Sequence, residues 1–212
     1  MKKTLLALAV AAALAPSLAM AEAGDIVVRL RATHIAPDES SKLATTTNVF
    51  GTGSYLSVDS NTIPEIDFSY YITKNIATEL ILATGTKHTV TAHVGGVATD
   101  LGKVNLLPPT LLAQWHFNPD QTIDPYVGAG VSYVRAMDNN LNLGATGITI
   151  DRNNWGVALQ AGMDYNLENK WLLNVDVKKI WFDTTVRANG IGKIDQLDID
   201  PWVVSVGFGR KF

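Results

Sequence analysis

Pro201-Trp-Val-Val-Ser-Val-Gly-Phe-Gly-Arg-Lys-Phe212 is the last stretch of the chain, and it alternates strictly. One parity carries Trp202, Val204, Val206, Phe208 and Phe212; the other carries Val203, Ser205, Gly207, Gly209 and Lys211. A period of two puts these sets on opposite faces of a strand. The first face is apolar along its length and aromatic at both ends. That is the pattern of a strand crossing an outer membrane within a closed barrel, with its aromatic residues at the two interfaces. A soluble β-sandwich would bury such a face in a core, but the aromatic margins argue against it.

The start of the chain argues the same way. Lys2 and Lys3 precede an apolar run from Leu5 to Leu14, followed by Ala19-Met20-Ala21. The run is short against the ~20 residues a span needs, and the small-x-small triplet marks a cleavage site. Residues 1–21 are expected to be an export signal and residues 22–212 one outer-membrane barrel. Loss of the signal removes two lysines and no acid, taking the formal charge from −3 to −5. A mildly acidic chain does not suit nucleic acid. The absence of Cys excludes a disulfide scaffold and thiol catalysis. No later window is apolar for ~18 residues, so no helical span is expected.

Eight segments have strand character, near 24–36, 61–73, 76–88, 103–117, 124–137, 154–167, 171–185 and 197–212. Short connections fall at Thr73-Lys74-Asn75, from Asn118 to Ile123, and at Glu168-Asn169-Lys170. Long ones, rich in Gly, Asn, Ser and Thr, fall at 37–60, 89–102, 138–153 and 186–196. Short turns at one end and long loops at the other predict an all-β, eight-stranded antiparallel transmembrane barrel. Closure leaves no strand edge, as lipid requires. Parity turns Ile26, Val28 and Leu30 outward, with Ile66, Phe68, Tyr70 and Ile72, and with Trp155, Val157, Leu159, Ala161, Met163 and Tyr165.

The inward sets carry the functional information. Toward the periplasmic end they read Arg29, Arg31, Glu65, Asp67, Glu79, Gln114, Gln160, Asp164, Asn174, Asp176 and Lys178. An eight-stranded barrel is narrow enough to be filled by its own side chains. Charges confined there should pair, because an unpaired one is costly. A charged plug is therefore predicted, with inward Gly128, Gly130, Gly156, Gly162, Gly207 and Gly209 leaving room for the arginines. Toward the outer end the inward residues become Ile35, Ile63, Ala83, Leu106, Pro108, Val134, Ile180, Phe182, Ile199 and Val203. They either fill the barrel or form an apolar vestibule for a greasy ligand. Pro108 and Pro109 favour the vestibule, since two adjacent prolines remove two ladder donors and invite an opening in the wall. Pro64 is expected to add a bend. Lys179 points outward by the count. Either it snorkels to the rim, or a bulge near Lys178 reverses the faces and takes Ile180 and Phe182 out of the vestibule.

Other chemistry is weakly supported. Gly128-Ala129-Gly130 lacks the third glycine and following helix of a dinucleotide loop. His88 and His93 have no Cys or second close pair to complete a metal site. His34 and His116 fall on different strands near opposite ends, without a Ser and acid alongside, so no catalytic group is assigned. No cofactor and no metal is expected.

Several segments together carry a family resemblance: Ala23-Gly24-Asp25, Asn75-Ile76-Ala77-Thr78-Glu79-Leu80, Leu107-Pro108-Pro109-Thr110-Leu111, Pro125-Tyr126-Val127-Gly128-Ala129-Gly130, Trp171-Leu172-Leu173-Asn174 and Asp200-Pro201-Trp202. Over essentially the whole mature sequence the chain resembles the OmpW family of small outer-membrane barrels. Asp176-Val177-Lys178-Lys179-Ile180 looks closer to its AlkL-type, alkane-import branch. The resemblance implies an apolar channel open to the outside, which takes up small hydrophobic molecules and releases them sideways into the membrane. It associates Leu107, Pro108 and Pro109 with the lateral opening. It places Ile81 where the channel narrows, opposite a position that is Trp in some members and Lys178 here. The expected channel is then Ile35, Ile63, Ile81, Ala83, Leu106, Pro108, Val134 and Val203. Expected partners are the bilayer, lipopolysaccharide, small hydrophobic ligands and, through Phe212, the barrel assembly machinery. A barrel acting only through its surface loops and a narrow ion or polar-solute channel are the competing functions.

Overall fold

The computed structural model describes residues 22–212, apart from 47–48, 84–85, 140 and the side chain of Asn139. The export signal expected at 1–21 lies outside the described residues. In chain order the strands are β1 (Ile26–Ala36), β2 (Tyr55–Val58), β3 (Asn61–Tyr71), β4 (Ile76–Ala83), β5 (Thr86–Val94), β6 (Val97–Leu107), β7 (Thr110–His116) and β8 (Ile123–Asn139). They continue with β9 (Leu141–Leu143), β10 (Thr146–Ile150), β11 (Asn153–Asn166), β12 (Trp171–Trp181), β13 (Asp183–Ala188), β14 (Gly192–Asp198) and β15 (Trp202–Lys211). One short helix, α1, spans Leu43–Thr46.

Eight strands close a ring in the order β1-β3-β4-β7-β8-β11-β12-β15, all neighbours antiparallel. The seam joins first to last, from Val27↔Lys211 to Ala36↔Trp202. A closed ring leaves no strand edge, the condition for a sheet in hydrocarbon. Burial alternates with the predicted parity: Leu30, Phe68, Trp155 and Val204 are exposed, while Arg29, Asp67 and Ser205 are buried. Trp155 stands opposite Tyr133, Val157 opposite Trp181, and Lys179 opposite Trp202, so the aromatics gather into a belt near the outer end. Ile26↔Tyr70, Tyr165↔Ile123 and Trp171↔Arg210 mark the other margin, beside the short turns.

The predicted fourth and seventh strands are broken, the eighth is divided between β14 and β15 about residues 199–201, and the third is described on either side of residues 84–85. The third is described as β4 and β5, the fourth as β6 and β7 about Pro108-Pro109, and the seventh as β12 and β13 about Phe182. Two of these breaks keep their register on one side, while β5 meets β6 one residue out of step with β4 against β7. Leu107↔Arg135 and Thr110↔Ser132 keep one register against β8. Asp183↔Asp198 continues the register of Lys179↔Trp202.

The long connections are also not the polar loops that their composition suggested. β5 and β6 extend past the barrel and turn at Gly95-Gly96, both with positive φ (58° and 81°), as a tight two-residue hairpin requires. β2 pairs with β5, and β14-β13-β10-β9 form a second sheet. These hairpins bury Leu56, Val90, Leu101, Leu141, Ile148, Val186, Ile194 and Leu197 together with Leu43 of α1. Alternation on one face suffices for a hairpin with a small core, even where the other face is Gly, Asn and Thr.

Candidate functional site

The lumen has two compartments. Below, toward the short turns, lies the charged network. Arg29 gives Nε and Nη2 to both oxygens of Asp164 (3.2 and 2.6 Å), and Nη1 to Asp67 (3.1 Å) and Ser69 (2.7 Å). Arg31 reaches Glu65 (3.2 Å), Glu79 (3.0 Å) and Asn174 (2.8 Å). Lys178 donates to Asp176 (2.6 Å) and lies 3.5 Å from Glu65. Gln114 and Gln160 both donate to Glu79 Oε2 (2.9 and 2.7 Å), and Gln160 also to Asp176 (2.7 Å). Tyr126 donates its hydroxyl to the same Asp176 (3.0 Å). Every one of the eight predicted plug charges is at most 5% exposed, so the plug excludes solvent from this half of the barrel. Partners come from β1, β3, β4, β7, β8, β11 and β12, so the network spans the lumen rather than lining one wall.

The glycines divide by what they face. A Cβ at Gly207 or Gly209 would come within 2.9 Å of Arg31 Cγ or 2.7 Å of Arg29 Cγ, so these two do make room for the arginines. Gly162 instead faces the Tyr126 ring, Gly128 the Gln160 amide, Gly156 the Trp181 carbonyl and Phe182, and Gly130 the β7 backbone. Those four were predicted to serve the arginines and serve other neighbours.

Above the plug lies an apolar cavity of about 1090 Å³, part of it open to solvent. All eight residues expected from the channel reading line it: Ile35, Ile63, Ile81, Ala83, Leu106, Pro108, Val134 and Val203. Glu65 and Lys178 lie at its junction with the plug. The outer hairpins supply the rest of the lining, including Val90, Val104, Leu141, Ile150, Val186 and Leu197. Sequence reasoning missed Val90, Leu141, Ile150 and Val186 by assigning their segments to loops, and left Val104 and Leu197, at the ends of predicted strands, out of the channel. The signal in those loop segments was the alternation Val90-Ala92-Val94, Ile148-Ile150 and Val186-Ala188.

The wall beside Pro108 carries a break in its ladder. Among the described residues β4 pairs with β7 as far as Ile81↔Thr110, Leu82 and Ala83 have no partner across from Pro109 and Pro108, and β5 pairs with β6 from Thr86↔Leu106. His116 N donates to Asn75 O (2.8 Å), so even residues of β7 and odd residues of β4 turn their backbone groups toward each other. By that alternation the donor that Pro108 lacks would have pointed at Ala83. Pro109 faces the other way, and its carbonyl accepts Tyr133 N (2.9 Å). The Pro109 side is therefore still stitched to β8. Pro64, paired with Ala32, leaves the register of β3 against β1 unbroken.

Lys179 resolves in favour of snorkelling. Registers on both sides of β12 run without a shift through Lys178 and Lys179. Its amine donates to Asp38 (2.9 Å) and to the Asp200 carbonyl (2.5 Å), and it sits 5.0 Å from the centre of the Trp202 ring. Ile180 and Phe182 accordingly stay in the vestibule.

The histidines are separate. His34 is on the outer face, 2.9 Å from Thr62. His88 is buried against the Asp59 carbonyl (2.7 Å), and His93 stacks on Tyr55. His116 lies at the lower end, 2.7 Å from Asp124 and near Asp164, an arrangement of three potential ligand groups. Asp164 already has both oxygens on Arg29 and a third donor in Asn174 (2.7 Å), so it is spoken for by the plug.

A closed eight-stranded barrel with lipid-facing aromatic belts, a charged lower lumen and an apolar upper cavity is an outer-membrane architecture. A model of the OmpW family matches residues 22–212. Outer membrane protein W of Vibrio cholerae serotype O1 is 36% identical over 224 residues, spanning 100% of both chains. The crystal structure of OprG from Pseudomonas aeruginosa superposes with a TM-score of 0.80 at 31% identity, covering 90% of this chain and 97% of that one. The chain belongs to the OmpW family and resides in the outer membrane of a Gram-negative bacterium. AlkL of Ectopseudomonas oleovorans is 28% identical over 163 residues, 74% of this chain and 69% of that one. The identities thus favour Outer membrane protein W over AlkL, the reverse of what the Asp176–Ile180 segment suggested.

Proposed function

We propose that this barrel is a passive route by which small hydrophobic molecules pass from outside into the outer membrane, leaving sideways through the wall beside Pro108. One observation carries the reading: an apolar cavity ends on a solvent-excluding charged plug and touches the wall where the ladder is broken. A guest held above the plug meets ion pairs below and a seam beside it. Leu107, Pro108 and Pro109 frame that seam, and the eight channel residues line the approach. Phe212, 60% exposed, is the candidate contact for the assembly machinery. The outer aromatic belt and Lys179 are the candidate contacts for the bilayer and lipopolysaccharide.

The test is uptake of n-octane by cells displaying equal amounts of the native barrel or of Leu106→Gln, which sets an amide in the apolar wall. Uptake should fall several-fold. Unchanged uptake would leave the cavity without a role. Removing segment 138–153 does not separate transport from a surface role, because Leu141 and Ile150 of that segment line the cavity. An ion channel is disfavoured by the same network, whose charges bind one another across the lumen.

A further inference from the structure

The cavity is apolar along its walls but not at its floor, and the floor has a direction. Glu65 is buried, and its Oε1 accepts from Arg31 (3.2 Å) and faces Lys178 (3.5 Å). Its Oε2 takes no hydrogen bond from any of the described residues, although Glu65 lines the cavity. A carboxylate oxygen that faces an apolar cavity with no protein donor is an open acceptor, and a donor from a guest would satisfy it. Of the hydroxyls that line the cavity, Thr110 donates to Ser132 (2.9 Å) and Thr86 to the Leu106 carbonyl, while that of Thr184, on β13 at the outer end, makes no hydrogen bond among the described residues. Higher in the wall, His88 must give its Nδ1 proton to the Asp59 carbonyl (2.7 Å), which leaves Nε2 as a second acceptor.

Charge narrows the guest further. The network joining the floor holds three cations, Arg29, Arg31 and Lys178, against five carboxylates, Glu65, Asp67, Glu79, Asp164 and Asp176. An anionic head meets excess negative charge there. A neutral head with an O–H can donate to Glu65 Oε2 and accept from Lys178.

We infer that the cavity selects amphipathic guests, primary alcohols above all, which lie with the hydroxyl on the Glu65–Lys178 floor and the hydrocarbon tail along the apolar wall. This rests on the proposed function and specifies its substrate class. Glu65 is a specificity residue here, not only a member of the plug.

The experiment uses the full barrel in lipid nanodiscs with labelled isoleucine methyls, of which Ile35, Ile63, Ile81 and Ile180 line the cavity. 1-Octanol, 1-methoxyoctane and octanoate are titrated separately, and apparent affinities are compared at equal mole fraction in the lipid. The alcohol should bind about tenfold more tightly than the ether, from one hydrogen bond to a charged acceptor, and octanoate should bind weakest. In Glu65→Gln the alcohol's advantage should shrink to within about threefold, while octanoate should gain. A purely structural role for Glu65 would move all three guests alike. Equal affinity of alcohol and ether for the native barrel overturns the inference and leaves the hydrophobic-route reading standing, since both guests then shift the methyls. Shifts from neither guest overturn both. The native comparison decides the matter even if Glu65→Gln does not assemble.

Discussion

Pro108 and Pro109 are adjacent and chemically identical, yet the ladder gives them opposite consequences. Pro108 lacks a donor toward Ala83, at the broken seam, whereas Pro109 lacks one toward β8, where its carbonyl still holds Tyr133. Replacing either by Ala restores one N–H. In Pro108→Ala that N–H can bind the Ala83 side and close the seam; in Pro109→Ala it strengthens a contact that is already made. A backbone hydrogen bond is worth about 0.5–1.5 kcal/mol net, and more where lipid is the alternative partner. The loss of proline's stiffness, about 0.4–1 kcal/mol, is common to both variants and cancels in the comparison. About 1.4 kcal/mol moves an open–closed equilibrium tenfold. Initial n-octane uptake at matched surface amounts should therefore fall by up to about tenfold in Pro108→Ala and stay near native in Pro109→Ala. Equal loss in both variants, or no loss in either, would refute the assignment of the exit to the β4–β7 side.

Arg29→Met leaves Asp164 and Asp67 without their shared cation, so urea unfolding of the refolded barrel should show a loss of about 3–5 kcal/mol. Gly162→Val places a branched side chain against the buried Tyr126 ring, and a heat-modifiability gel should show destabilisation of about 1–3 kcal/mol. Lys179→Ala should change the same unfolding free energy by less than about 1 kcal/mol, because its Asp38 partner is exposed at the rim. Asp195, fully buried, binds the Ser41 hydroxyl (2.5 Å) and the Lys42 amide (2.6 Å). Asp195→Ala should speed hydrogen exchange at Lys42 and Leu56 while leaving the exchange of the β12–β15 ladder unchanged.

The barrel was legible because lipid enforces a strict code. Each crossing strand must be apolar outward, and a one-residue slip would turn Arg29 or Asp164 into hydrocarbon, so parity read from Val28 or Leu159 propagates without error. The plug followed from the same parity, because charges facing a narrow lumen have only one another. The outer hairpins were opaque for the opposite reason. Beyond the membrane one face is in water, so a strand can carry Thr89, Thr91 and His93 opposite Val90, Ala92 and Val94. Gly95-Gly96 and Gly144 then mark tight turns within strands rather than loops. Lys179 was ambiguous because its remedy lies 141 residues away in sequence, at Asp38.

Stacking an apolar cavity on an ionic plug also sets the direction of the proposed route. Passage downward would part Arg31 from Glu65 and Glu79, and Lys178 from Asp176, inside a region that excludes solvent. Separating one buried pair costs about 3–5 kcal/mol, and a guest with only a hydrocarbon tail offers nothing in exchange. Passage sideways meets one ladder gap that the sequence has already made, and the tail leaves one apolar medium for another. Two broken pairs below would slow descent by roughly four orders of magnitude or more relative to an unobstructed path. The plug need not move for the route to work. A static plug and a permanent break beside Pro108 suffice to make the membrane, rather than the periplasm, the destination.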